Sequence, residues 1–229
     1  MTTMLGEIEF DAVAEAVDTF GFATVRTTGD EGALMAVARA VGRMVRARSF
    51  GFVHLRAEGS AVWLGRHTES LTDGAIPLRY FALGCLVPAM EGGATHLFDG
   101  VRAARLLAWL LPDAFEVRIR YRSAHRPEVS EHPLIVLHER HGHVLRFRSV
   151  SERNTVVAMP GRIRELDLYA AVEEALNESV SYVHEWRTGD LLIVDNHRML
   201  HSRAPFAGLR HMLRVRYDDP LHRAVTLGA

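Results

Sequence analysis

Lysine is absent from this chain, and all 27 of its basic residues are arginine. Without a lysine amine, Schiff-base chemistry, pyridoxal-phosphate attachment and a lysine-bearing phosphate loop are excluded. Cysteine is nearly absent too. Cys85 stands alone, so no internal disulfide can form. It lies in the apolar stretch YFALGCLV (80–87), where a buried structural thiol is expected rather than a nucleophile. The net charge of −1 provides neither a basic footprint for nucleic acid nor an acidic tail. Long apolar runs are missing as well. None exceeds six residues, the length reached at 106–111, too short to cross a bilayer. The opening MTTMLGEIEFD is acidic and lacks the basic and apolar segments of a secretory leader, from which a cytoplasmic location is expected.

A chain of 229 residues, 48% apolar, fits one sizeable domain with a substantial core. Phe10, Val13, Ala14, Val17 and Phe20 follow a helical period that Gly21 ends, and FATVRT (22–27) alternates as a strand does. Thr28-Gly29-Asp30-Glu31 has capping-box spacing ahead of a second stripe, Leu34, Val37, Ala38, Val41 and Val45. Strand-like runs follow at 51–56, 61–66, 78–87 and 94–98, with a loop at 71–77 placed where a substrate lid would sit. Asp99 can cap a helix over 101–111. Residues 115–150 return to strands, with a hairpin turn at His141-Gly142. Ile163, Leu166, Tyr169, Val172 and Leu176 make one more helical stripe. Short strands with a few flanking helices predict a mainly β chain, a double-sheet jelly roll, in a single domain over 1–229. Its N-terminal helices and first strand fill 1–50, and a jelly-roll core with helical insertions fills 51–217.

The chemistry centres on two separated stretches. In HTE (67–69), residues two apart on an extended strand share a face, so His67 and Glu69 can aim an imidazole and a carboxylate at one point. His201 is the candidate third ligand. Two histidines and a carboxylate on one face of a metal leave positions open for small molecules, which suits non-haem Fe(II).

HTE (67–69), EGGATHLFDG (91–100), EHPLIVLHERHG (131–142) and GDLLIVDNHRMLHSR (189–203), in that order, resemble the taurine dioxygenase and clavaminate synthase superfamily of Fe(II)/2-oxoglutarate oxygenases. The similarity runs from about residue 60 to 217. It implies the double-stranded β-helix fold, iron held by His67, Glu69 and His201, and use of 2-oxoglutarate and O2 with release of succinate and CO2. By the same resemblance Thr95 donates its hydroxyl to 2-oxoglutarate. Arg210 binds the far carboxylate, with Arg214 the alternative for that role because the spacing from His201 is short for the family. The two arginines lie four apart on a strand and share a face, so if Arg210 holds the cosubstrate, Arg214 is free to hold an anionic group of the primary substrate. Related halogenases carry a small residue in place of Glu69, which favours hydroxylation here.

The expected activity is hydroxylation of an unactivated C–H bond in an amino acid or amino-acid-like small molecule. Desaturation or cyclisation with the same cofactors, or a sulfonate or other small anion as substrate, stay open. From other classes, a jelly-roll binding protein or a zinc hydrolase using the same ligands remain alternatives. The chain is short for the family, from which trimmed lid insertions are expected. His138, His141 and His143 read as a polar turn, His197 and His211 as exposed or supporting histidines, and Asp195-Asn196 as a corner bonded to its own backbone. Arg118, Arg120 and Arg122 read as a solvated face.

Overall fold

The computed structural model describes residues 2–3, 9–71, 77–123, 129–149, 154–158 and 164–218. The N-terminal part runs β1 (Thr2–Thr3), α1 (Phe10–Phe20), β2 (Phe22–Arg26), α2 (Glu31–Met44), β3 (Ser49–Ser60) and β4 (Leu64–His67). Next come β5 (Tyr80–Val87), β6 (Glu91–Gly92), β7 (Thr95–Asp99) and α3 (Gly100–Leu110), followed by a 3-10 turn over Pro112–Glu116. Then follow β8 (Arg118–Ser123), β9 (Val129–Pro133), β10 (Ile135–His138), β11 (Gly142–Leu145) and β12 (Asn154–Ala158). The chain continues through α4 (Glu165–Asn177), β13 (Val180–His184), β14 (Asp190–Asp195), β15 (Met199–Arg203) and β16 (Phe206–Asp218).

Two sheets form the jelly roll. The larger has the order β1-β2-β14-β5-β16-β3, with β6 also paired to β16, and the smaller has the order β13-β7-β15-β4. All of these pairings are antiparallel except β1 with β2. The expected double-stranded β-helix is thus the observed architecture. β2 pairs with β14 at Ala23↔Ile193 and Thr24↔Leu192, so the first fifty residues contribute a strand to the main sheet, and α1 and α2 pack on its outer face.

Alternation along the central strands sorts side chains between the two faces of the larger sheet. Leu191 and Ile193 of β14, with Leu213, Val215 and Tyr217 of β16, pack with Val13 and Val17 of α1 and Leu34, Val37, Ala38 and Val41 of α2. Leu192, Val194 and Met212 face the other way, into the space between the sheets, beside Phe81, Leu83, Cys85, Leu97 and Trp186. Each such fully buried apolar side chain contributes about 1.5–3 kcal/mol, so the alternation pins the register of both strands. By the same parity Arg210, Arg214 and Arg216 look inward. α3 and α4 cover the outer face of the smaller sheet, where Phe98 and Leu200 meet Ala103, Leu107, Leu168, Val172 and Leu176.

Several local expectations change. Asp30, not Thr28, caps α2: its carboxylate accepts from the Ala33 N–H at 2.8 Å, and Thr28 donates to Asp30 instead. Asp99 caps α3 as expected, accepting from the N–H groups of Val101 and Arg102. In α4 the buried stripe is Leu168, Val172, Ala175 and Leu176, while Leu166 is 78% exposed. Ile163 and most of the lid expected at 71–77 lie outside the described residues. The Arg118–Arg120 face is exposed and pairs with Glu131. Among the described residues, no helix is long and apolar enough to cross a membrane.

Candidate metal and cosubstrate site

His67, the last residue of β4, stands directly opposite His201 of β15. Facing residues on paired strands project to the same side, so the two rings lie with centroids 4.1 Å apart. Glu69 joins them differently from the strand alternation expected of His-x-Glu. β4 stops at His67 and Glu69 sits in the turn beyond it. That turn is tied down by Asn196, whose Oδ1 accepts from the Glu69 N–H at 2.7 Å. The Asn196 Nδ2 donates to the carbonyls of Glu69 at 3.0 Å and Leu78 at 2.6 Å. Glu69 Oε2 thereby comes within 3.6 Å of His67 Nε2 and 3.8 Å of His201 Nε2.

The three ligand atoms lie within 4.8 Å of one another, and all three residues are buried. His67 Nδ1 lies 2.8 Å from the Gly65 carbonyl and donates to it, which turns Nε2 toward the centre. Burial, together with the charge of His67, holds His201 well below the usual imidazole range, so its ring is neutral. Burial acts to raise the Glu69 carboxyl, but His67 and Arg214 bring it well below the usual carboxylate range. One carboxylate and two imidazole nitrogens converging in a buried corner fit a divalent first-row metal.

The arginines divide into two settings. Arg214 Nη1 and Arg216 Nη2 reach Glu69 Oε1 at 3.0 and 2.7 Å, on the oxygen facing away from the histidines. Arg210 is 7% exposed, and its Nε is buried with no hydrogen-bond partner. Burial, then the charge of Arg203, lowers it to about 10, so it remains a guanidinium at neutral pH. A Cβ at Gly93 would lie 3.4 Å from Arg210 Nε, which places this cation against the link between β6 and Thr95. Thr95 is 2% exposed and its Oγ1 accepts from Trp186 Nε1 at 3.1 Å. A buried guanidinium whose Nε has no hydrogen-bond partner, on the same interior side as a buried hydroxyl, is the chemistry a dicarboxylate's far end requires.

The structure therefore brings His67, Glu69 and His201 to one point, and places Thr95, Arg210 and Arg214 on the same interior side. Some contributors were missed. Arg216 follows the same alternation as Arg210 and Arg214, a signal present in the sequence. Asn196 bonds long-range backbone rather than only its own corner, and no local pattern announces that. His197, read as exposed or supporting, is buried. It donates to the Pro77 carbonyl at 2.8 Å and meets His138 at 3.2 Å, while His141 pairs with Asp195. His211 lies 2.9 Å from His54 on the helix-facing side. Cys85 is a buried thiol that burial pushes up to about 12, too high for a nucleophile.

Residues 2–216 match the family described as taurine catabolism dioxygenase TauD, TfdA family, and the chain belongs to it. A relative from Fischerella ambigua (strain UTEX 1903), 3-((Z)-2-isocyanoethenyl)-1H-indole synthase, is 29% identical over 169 residues, 65% of this chain. The matched stretch spans 61% of that relative's length. Among solved structures, PvcB from Pseudomonas aeruginosa superposes with a TM-score of 0.74 at 20% identity, covering 95% of this chain and 85% of that one. PvcB is described as an Fe, alpha-ketoglutarate dependent oxygenase from an isonitrile synthetic pathway. A taurine dioxygenase from Burkholderia xenovorans gives a TM-score of 0.69 at 20% identity, covering 95% and 86%. At this identity both superpositions speak for the fold.

Proposed function

We propose that this protein is an Fe(II)- and 2-oxoglutarate-dependent dioxygenase in which His67, Glu69 and His201 hold the metal. The observation that carries the reading is the convergence of those three ligands in a buried corner, supported by Arg210, a buried cation on the same interior side whose Nε has no hydrogen-bond partner. Arg210 and Thr95 bind the far carboxylate of 2-oxoglutarate, and Arg210 is preferred to Arg214 because Arg214 lies against Glu69, at the metal end of the cavity. When bound, iron with 2-oxoglutarate and O2 supplies the oxidant: one oxygen atom leaves in succinate as CO2 is released, and the other oxidises the substrate. The chain's own part is to orient, to neutralise charge and to exclude water.

The substrate on this reading is an amino-acid-derived small molecule bearing a carboxylate, with Arg214 at the metal end of the cavity as its anchor. The reading takes the chain as one oxygenase domain working in the cytoplasm, a reducing compartment in keeping with one free thiol. Hydroxylation was the expectation from Glu69. The relative's name, an isocyanoethenyl product, favours a second outcome, desaturation of a substrate of the same class.

Incubation of the iron-loaded protein with 2-oxoglutarate, O2 and a panel of amino acids and their N-isocyano derivatives tests this, with succinate and product mass as readouts. Succinate formed together with a product that gains one oxygen atom supports hydroxylation. A product that loses two hydrogens supports desaturation. Zn(II)-dependent turnover indifferent to 2-oxoglutarate and O2 would replace the reading with a hydrolase.

A further inference from the structure

Trp186 lies just beyond β13 with its indole enclosed beside Cys85, Leu192 and Met212. Its Nε1–H donates to Thr95 Oγ1 at 3.1 Å, and the two residues are 9% and 2% exposed. An indole nitrogen donates only, whereas a hydroxyl has one proton and two lone pairs. With one lone pair taken by the indole, the Thr95 proton points elsewhere, and no acceptor for it occurs among the described residues. The indole itself is fixed from behind. His184, opposite Thr95 in the β13–β7 register, packs edge-on against it with centroids 4.3 Å apart at 81°.

We infer that Trp186 is a positioning residue that fixes the Thr95 hydroxyl as a donor toward the far carboxylate of 2-oxoglutarate, beside Arg210. The inference rests on the oxygenase reading. It follows that this wall favours an acceptor-only group, since both Thr95 and Arg210 present donors and a ligand ending in a methyl group would leave them unmatched. A free threonine hydroxyl rotates; one held by an indole N–H does not need to be reoriented when the ligand arrives.

Anaerobic calorimetry with Mn(II)-loaded protein reads this without turnover, using wild type, Trp186→Phe, Thr95→Val and the double variant. Trp186→Phe keeps the ring and removes the N–H, and the expected result is about 3–10-fold weaker 2-oxoglutarate binding with Mn(II) affinity unchanged. The double variant is expected to bind within about twofold of Thr95→Val alone, because the two residues act as one unit. Wild-type affinity in Trp186→Phe, or losses that multiply in the double variant, overturns the inference. Wild type that takes no 2-oxoglutarate overturns the oxygenase reading and this inference together. Should Trp186→Phe not fold, indole NMR of the Zn(II)-loaded wild type decides. Trp63 and Trp109 are 54% and 79% exposed, so the slowly exchanging indole N–H belongs to Trp186. That signal is expected to move on addition of 2-oxoglutarate and again in Thr95→Val, and a signal that stays in place contradicts the role.

Discussion

Asn196 grips the backbone of Glu69 from both sides, accepting from its N–H at 2.7 Å and donating to its carbonyl at 3.0 Å. The grip replaces the strand that ends at His67, and it sets where the Glu69 carboxylate points. Asn196→Ala removes these bonds in a buried corner. The expected cost is about 2–3 kcal/mol of stability, with Fe(II) or Mn(II) affinity lowered about 10–100-fold. Urea denaturation and metal titration check the two effects separately, and unaltered metal affinity would show that Glu69 is held by other means.

Arg214 touches Glu69 rather than the pocket around Thr95, which separates its role from that of Arg210. Arg214→Gln is expected to leave 2-oxoglutarate affinity within about threefold while raising the primary-substrate KM about tenfold or more, the loss expected of one charge-assisted contact. Succinate production uncoupled from substrate oxidation is the accompanying sign. A large loss of 2-oxoglutarate affinity would reverse the assignment of the two arginines.

Burial, then the charge of Arg146, depresses His197 to about 3, whereas an unfolded chain titrates it near ~6.5. Below that value the unfolded state takes up a proton that the native state refuses. Stability is therefore fully present above pH ~6.5 and declines toward pH 3, by about 1.4 kcal/mol per pH unit from this one group. His197→Gln keeps a donor for Pro77 and removes the titration. Between pH 6.5 and 5 the wild type is expected to lose about 2 kcal/mol more than the variant in urea denaturation, and equal slopes would refute the assignment.

Gly189 turns the chain into β14 with φ +88, and a Cβ there would meet the Thr27 carbonyl at 2.5 Å. Gly189→Ala is expected to cost about 1–3 kcal/mol, because a left-handed backbone and a steric clash add. A thermal melt checks this.

Much of the architecture was legible because period and parity report it directly. The stripe in α2, the buried alternation of β14 and the inward parity of Arg210 and Arg214 all follow from local spacing. What was not legible depends on register between distant strands. His67 opposite His201 is a pairing, not a pattern, and the Asn196 bond to Glu69 spans 127 positions. Leu166 shows the complementary limit. It fits the helical period of α4, yet the helix is rotated so that Leu168 faces inward, and only the packing against α3 decides that. The resemblance supplied the cosubstrate and strengthened His201 as the third ligand, which spacing alone left open.

The central claim is tested most directly by anaerobic Fe(II) titration with 2-oxoglutarate, following the weak visible charge-transfer band of an iron chelate in wild type, His201→Ala and Arg210→Ala. The account predicts a band in wild type, its loss in His201→Ala, and a band in Arg210→Ala that appears only at about 10–100-fold more 2-oxoglutarate. A folded, iron-loaded wild type that develops no band would contradict it.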